Sequence, residues 1–129
     1  MNLVGLLVIA LMMGWFGEDG HVMTPAQVDS LRAQGNGIHL LDVRTREEFD
    51  GSLGHLDGAI LIPVQELDER LAELEAYRED TVVVYCRSGN RSHHATVLLR
   101  SQGFKAFNMT GGMVQWNKEQ RSVVRKENR

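Results

Sequence analysis

The chain has 129 residues, 43% of them hydrophobic, and a formal net charge of −3 at pH 7. This length has room for one ordinary globular domain. The charge balance lacks the basic field typical of nucleic-acid binding, so no nucleic-acid partner is expected. The single cysteine excludes an intramolecular disulfide and any metal site built on a cysteine pair, and we predict neither a metal nor a cofactor.

The first part of the chain is a mostly apolar stretch, residues 1–17, without a charged side chain. As a helix it would span roughly 25 Å, against about 30 Å for the hydrocarbon core of a bilayer. A signal peptide is one alternative, although no basic residue precedes the apolar run and no clear cleavage site follows it. A helix packed on the domain or on a partner is another. We predict membrane association through residues 1–17, with a membrane or cell-envelope location; a cytoplasmic location is the alternative.

Three regions follow from these patterns. Residues 1–19 comprise the apolar segment and a short linker, residues 20–120 one domain, and residues 121–129 a polar tail that we expect to fray. Within the domain, two capping boxes mark helix starts. Thr24 and Gln27 form the first, and Thr45 and Glu48 form the second.

Short apolar runs alternate with helical patterns along the rest of the domain. The runs predict strands at 38–41, 59–62, 81–85 and 105–109. The helical patterns cover 64–77, about 90–102 with Gly103 ending the helix, and 112–119. Such alternation predicts an α/β fold with a central, mainly parallel sheet covered by helices on both faces. Ligands of open parallel sheets bind beyond the carboxyl ends of the strands, where Asp42 and Cys86 both lie.

Cys86 is the most informative residue, because it ends the apolar run at 81–85 and opens a loop directly before a helix. The N–H groups at a helix start lack intrahelical partners and, with the guanidinium groups of Arg87 and Arg91 nearby, favour an anion. A thiol placed there ionises more readily, and the thiolate is the reactive form of cysteine. The alternative is a small buried hydrophobe, for which two arginines are poor neighbours. We interpret Cys86 as a nucleophile.

Three blocks of the sequence, in this order, resemble the rhodanese-like sulfurtransferases. The first comprises residues 41–44, 47–49, 54–60 and 63, the second is the Cys86 loop, and the third comprises residues 98, 103–104 and 111–116. The resemblance extends from about Val22 to Trp116. It implies the rhodanese-like fold and a single-domain enzyme of the thiosulfate sulfurtransferase type.

The resemblance also implies a two-step reaction. Cys86 takes the outer sulfur of a small anionic donor such as thiosulfate, releases sulfite, and passes the resulting persulfide to an acceptor: cyanide, a thiol or a protein cysteine. Arg91 is predicted to bind the oxyanion part of the donor, with Arg87 as the second choice. The substrate-binding loop is predicted to comprise Arg87, Ser88, Gly89, Asn90, Arg91 and Ser92, whose N–H groups surround the sulfur. Without a second cysteine, the sulfur must leave to an external acceptor.

Polar residues outside the loop are predicted to support it. We expect Asp42 and Arg44 to form an ion pair or a cap that braces the loop, and His55 to be a hydrogen-bonded packing residue. His93 and His94 are adjacent on a helix, point about 100° apart, and are expected on the surface.

Loop length separates this chain from the cysteine phosphatases that resemble this fold. In those enzymes five residues separate the cysteine from an arginine, a position that Ser92 holds here, whereas four residues separate Cys86 from Arg91. We therefore expect no useful phosphatase activity. Two further functions stay open: a membrane-tethered persulfide relay that serves a partner protein, and a non-catalytic binding module.

Overall fold

A computed structural model describes residues 20–35 and 37–126. Its strands are β1 (Val22–Met23), β2 (Ile38–Asp42), β3 (Ile60–Leu61), β4 (Thr81–Tyr85) and β5 (Lys105–Met109). Its α-helices are α1 (Pro25–Ala33), α2 (Arg46–Phe49), α3 (Asn90–Ser101) and α4 (Gly112–Lys118). Two 3₁₀ stretches, Val64–Glu66 and Asp68–Tyr77, lie between β3 and β4.

The strands that the structure describes form one parallel sheet in the order β1-β5-β4-β2-β3. In the central pair, Leu41 is opposite Val84 and Asp42 is opposite Tyr85. The carboxyl ends of β2 and β4 therefore lie side by side, and Asp42 and Cys86 meet at the same edge of the sheet. The predicted α/β fold with a parallel sheet is confirmed.

Alternate residues of β4 face two separate hydrophobic cores. Val82 and Val84 pack on one face with residues of α3 and of the second 3₁₀ stretch, among them Leu74 and Leu99. On the other face, Val83 and Tyr85 pack with residues of α1 and α4, among them Val28, Met113 and Trp116. This two-sided burial explains why the strand reads as a continuous apolar run.

Both predicted capping boxes are present. The Thr24 hydroxyl accepts a hydrogen bond from the Gln27 N–H while the Gln27 side chain accepts one from the Thr24 N–H. Thr45 and Glu48 make the same reciprocal pair at the start of α2. These bonds satisfy N–H groups that a helix start leaves without partners.

Two elements differ from the prediction. The helix expected over 64–77 is wound as 3₁₀ helix and broken at Arg70, whose φ and ψ are −115° and 16°. Leu67 and Leu74 are still buried, as the predicted apolar face requires. Strand β1 was not predicted, since two residues paired with Asn108 and Met109 at the edge of the sheet are too few to show a period.

The tail is partly ordered against the domain, so the expectation that it frays is wrong for residues 121–125. Val124 and His55 exchange backbone hydrogen bonds of 2.9 and 2.8 Å as an isolated antiparallel bridge. The Trp116 indole N–H donates to the carbonyl of Ser122 at 3.1 Å. Arg121 pairs with Asp29 of α1 at 2.9 Å.

The predicted membrane-associated segment, residues 1–17, lies outside the described residues. Among those that are described, no helix has the length and apolar character needed to cross a bilayer.

Candidate active site

Cys86 lies where β4 ends, and α3 begins four residues later at Asn90. The chain reverses within this short distance because Gly89, the N-cap of α3, adopts a left-handed conformation with φ of 111°. Cys86 is 1% exposed and is not disulfide-bonded. The thiol therefore sits at the floor of its loop, below the exposed side chains of Arg87, Ser88 and Asn90.

Hydrogen-bond donors converge on the Cys86 sulfur. The Gly89 N–H donates to Sγ at 3.1 Å and the Ser92 N–H at 3.4 Å, and the Ser92 hydroxyl lies 3.2 Å away. Burial by itself raises the pKa of the thiol. The hydrogen bonds from the Ser92 side chain and from the N–H groups of Ser92, Gly89 and Ser88 outweigh it and hold the pKa of Cys86 below its usual value.

Asn108 connects the two sides of the loop and is not among the residues predicted for the site. Its side-chain oxygen accepts a hydrogen bond from the Ser92 hydroxyl at 2.6 Å, and its Nδ2 donates to the Gly89 carbonyl at 3.1 Å. It comes from β5 and is 7% exposed. Its only signal in the sequence is a polar residue near the end of a predicted strand.

Helix α4 holds the loop from behind. The N–H groups of Met113 and Val114 donate to the carbonyls of Cys86 and Arg87, each at 3.0 Å. Gly112 permits this approach, because a Cβ there would lie 2.4 Å from the Cys86 carbonyl oxygen. With these carbonyls bound to α4, the N–H groups of the loop are left to face the sulfur.

Arg91, predicted to bind the oxyanion of a donor, is paired with a carboxylate. Its two terminal nitrogens donate to Oε1 and Oε2 of Glu48 at 2.7 and 2.8 Å. The Arg91 guanidinium lowers the pKa of Glu48 to about 2, and the same pair raises the pKa of Arg91. The pair connects α2 to the first turn of α3 across 43 residues of sequence, which no local pattern reveals.

Arg87, unlike Arg91, lies at the entrance of the Cys86 loop without a carboxylate partner in the described structure. Among the described residues its guanidinium has no hydrogen-bond or ion-pair partner. It lines a cleft of about 310 Å³ together with Arg44, Glu47, Glu48, Gly51, Ser52 and Leu53. Among the described residues, Arg87, the second choice of the prediction, therefore offers an exposed guanidinium without a carboxylate partner.

Asp42 and Arg44 form the expected ion pair, fully buried beside the loop. The guanidinium donates to both carboxylate oxygens, at 2.7 Å from Nη2 to Oδ2 and 2.9 Å from Nε to Oδ1. Arg44 also donates to the carbonyls of Gly54 and Glu48, at 2.7 and 3.2 Å. The pair thus joins the end of β2 to α2 and to the loop that follows it.

The predicted histidines have packing and surface positions. His55 donates from Nδ1 to the Phe49 carbonyl at 3.0 Å and stacks on the Phe49 ring, with the ring centroids 3.6 Å apart. His93 and His94 are exposed on α3. No group of three metal-ligating side chains occurs in the part of the chain that the structure describes.

Comparison with known proteins identifies the family. The sequence profile of the rhodanese-like domain matches residues 24–119. The chain belongs to the rhodanese-like domain family. It is 37% identical over 75 residues to thiosulfate sulfurtransferase PspE of Escherichia coli, covering 58% of this chain and 70% of that protein.

Two further relatives set the scale of the similarity. The human single-domain sulfurtransferase TSTD1 is 33% identical with a TM-score of 0.65, covering 76% of this chain and 96% of that one. A probable adenylyltransferase/sulfurtransferase of Mycobacterium tuberculosis, MoeZ, is 37% identical over 103 residues, 78% of this chain. This chain spans only a quarter of the length of MoeZ. The relatives support a transferase of the sulfurtransferase family.

Proposed function

We propose that this chain moves a sulfane sulfur from thiosulfate or a similar donor to a thiophilic acceptor through a persulfide on Cys86. The observation that carries the proposal is the convergence of the Ser92 hydroxyl and the Gly89 and Ser92 N–H groups on Sγ. These hydrogen-bond donors stabilise the Cys86 thiolate, which attacks the sulfur-donating substrate. They also favour the persulfide anion that follows, because they are in place before the charge develops.

In the first step the Cys86 thiolate attacks the outer sulfur of thiosulfate. The new S–S bond forms on Cys86, the donor S–S bond breaks, and its electron pair leaves with sulfite. In the second step the acceptor, cyanide or a thiolate, attacks the outer sulfur of the persulfide, and Cys86 departs as the thiolate. Atoms and electron pairs balance in both steps, so the cycle needs no external oxidant or reductant.

The loop residues Arg87 to Ser92 would hold the substrate in this scheme. The exposed guanidinium of Arg87 is placed to attract the anionic donor to the entrance. Asp42 and Arg44 would support the loop through α2, because Arg44 binds the Glu48 carbonyl and Glu48 pairs with Arg91. His55 would support α2 by stacking on Phe49.

The test is thiosulfate-to-cyanide sulfur transfer by the wild type and by C86S, with intact mass measured after thiosulfate alone. We expect thiocyanate from the wild type only, and one added sulfur on the wild type only. Absence of both signals from the folded wild type excludes thiosulfate as donor. Transfer that persists in C86S excludes the persulfide mechanism.

A persulfide relay to a partner protein is the second candidate. It is favoured by MoeZ, in which the region similar to this chain is part of a longer adenylyltransferase/sulfurtransferase. Slow discharge of the loaded protein to small thiols, with fast discharge to a protein cysteine, would identify the relay. A non-catalytic module is disfavoured because Cys86 and its donors are intact. Membrane association through residues 1–17 stays a prediction.

A further inference from the structure

The fork of Arg91 already holds an anion, the carboxylate of Glu48. The two parallel N–H···O contacts of 2.7 and 2.8 Å reproduce the geometry by which arginine binds an external oxyanion. A sulfonate group that approached Arg91 would compete for the same nitrogens.

Glu48 is held in this place by contacts of its own. Its Oε1 accepts hydrogen bonds from the Thr45 N–H at 3.2 Å and from the Thr45 hydroxyl at 3.3 Å, within the capping box of α2. The carboxylate is therefore aimed at Arg91 independently of the pair. Since the pKa of Glu48 is about 2, its negative charge is present throughout the neutral range.

We propose that Glu48 is a specificity residue that disfavours donors in which the sulfane sulfur is attached to an oxyanion, and so favours organic persulfides over thiosulfate. The inference rests on the function proposed above. Thiosulfate carries two negative charges and must displace the Glu48 carboxylate to use Arg91. An organic persulfide, R–S–SH, has no oxyanion beside its sulfane sulfur and needs no such displacement.

The reaction with a persulfide donor is balanced without another reactant. The Cys86 thiolate attacks the terminal sulfur of R–S–SH, a new S–S bond forms on Cys86, and the donor S–S bond breaks. The electron pair leaves with the thiolate R–S⁻, and the proton stays on the transferred sulfur or passes to the leaving thiolate. The leaving group needs no guanidinium partner, in contrast to sulfite.

The substitution E48Q isolates the charge of Glu48. Glutamine keeps the capping box, as Gln27 shows in the first box of this same chain. Its amide offers one acceptor oxygen in place of two and carries no charge, so the bidentate pair with Arg91 is lost. The control is E69Q, which removes the same charge from an exposed residue of the second 3₁₀ stretch that does not line the Arg87 cleft and for which the described structure shows no ion-pair partner.

The experiment measures sulfur loading of Cys86 against the concentration of two donors, thiosulfate and the persulfide of N-acetylcysteamine, whose organic group carries no oxyanion. In E48Q we expect the KM for thiosulfate to fall roughly fivefold, the scale of one partly exposed ion pair, and the KM for the persulfide to change less than twofold. In E69Q both KM values should change less than twofold. A general loosening of the site would change kcat and the KM values for both donors together.

A binding measurement separates this inference from the proposed function. Thiosulfate affinity is measured for C86S, C86S/E48Q and C86S/E69Q, which need no turnover. Tighter binding in C86S/E48Q alone supports the inference even if the wild type loads no sulfur. Equal affinities, the same gain in both double variants, or no binding in C86S/E48Q overturns it.

Discussion

The hydroxyl of Ser92 has one proton and two acceptors. Asn108 Oδ1 lies at 2.6 Å and Cys86 Sγ at 3.2 Å, and the Nδ2 contact to the Gly89 carbonyl fixes which end of the Asn108 amide faces Ser92. While Cys86 is a thiol, the shorter contact favours donation to Asn108. Once the sulfur is charged, rotation of the hydroxyl can direct the proton to it, because hydrogen bonds to an ionised acceptor are the stronger ones.

The substitution S92A should therefore raise the pKa of Cys86 by removing the donor that most favours the thiolate. We expect iodoacetamide alkylation to be about tenfold slower at a pH below the midpoint, the effect of roughly 1.4 kcal/mol from one hydrogen bond to a charged group. The rate–pH profile should move to higher pH. The control is S88A, since Ser88 contributes only its backbone N–H. A profile for S92A that coincides with that of S88A would contradict the assigned role.

Gly112 packs directly against the backbone carbonyls of Cys86 and Arg87, with no room for a side chain. A Cβ there would be 2.4 Å from the Cys86 carbonyl oxygen and 2.6 Å from the Arg87 carbonyl oxygen. We expect G112A to displace the loop and to lower sulfur loading at least tenfold. G58A is the matched control: its φ of 80° is also left-handed, but nothing lies within 4 Å of its Cβ position. Both variants carry the backbone strain, so equal loss of loading in both would show that strain, and not contact with the loop, is responsible.

At the scale of elements, short α2 is connected to the nucleophile loop through side chains. Arg44 binds the Glu48 carbonyl, and the Glu48 carboxylate binds Arg91 on α3. A helix of four residues is not stable by itself, so its position depends on these contacts and on burial of Phe49. The loop is thus supported by α2 on one side and by α4 on the other.

The pair of Glu48 and Arg91 makes stability depend on pH. The pKa of Glu48 falls from 4.5 to about 2 on folding, so the contribution of the pair is complete above about pH 4.5 and is lost as pH falls toward 2. The free energy of unfolding of the wild type should exceed that of E48Q by about 1 kcal/mol or less near pH 7, and the difference should shrink from pH 4.5 downward and disappear near pH 2. Urea unfolding at a series of pH values measures it. R91Q should lose the same free energy of unfolding near pH 7. If the difference between the wild type and E48Q persists at pH 2, the ion pair is not its origin.

At the scale of the whole molecule, local signals predicted local structure and the order of the elements. The two capping boxes, the apolar run before Cys86 and the Gly103 stop are each short patterns with a local cause. The edge shared by Asp42 and Cys86 followed from the rule for parallel strands.

The contacts that were missed depend on distance in space. Asn108 reaches Ser92 across 16 residues, and Glu48 reaches Arg91 across 43. Pairing of this kind has no period and no local motif, so a single sequence cannot show it. The same holds for the tail, whose polar composition is typical of a frayed end. Its docking depends on backbone groups that the composition does not describe.

The docked tail contacts His55 and the core residue Trp116, and its removal should destabilise the whole domain. Truncation after Gln120 leaves the N–H and carbonyl of His55 and the indole N–H of Trp116 without their partners. At about 1 kcal/mol or more for each buried group, the free energy of unfolding should fall by about 3 kcal/mol.

Urea unfolding of the truncated chain and of G54A provides two independent measurements. In G54A the new Cβ would lie 2.5 Å from the Val124 carbonyl oxygen, so it disrupts the same bridge without shortening the chain. G58A again controls for backbone strain. Because the Cys86 loop is held by the first turn of α4, sulfur loading by the truncated chain should stay close to wild type at temperatures where it is folded. Unchanged stability in both variants would mean that the tail rests on the domain without contributing to its folding.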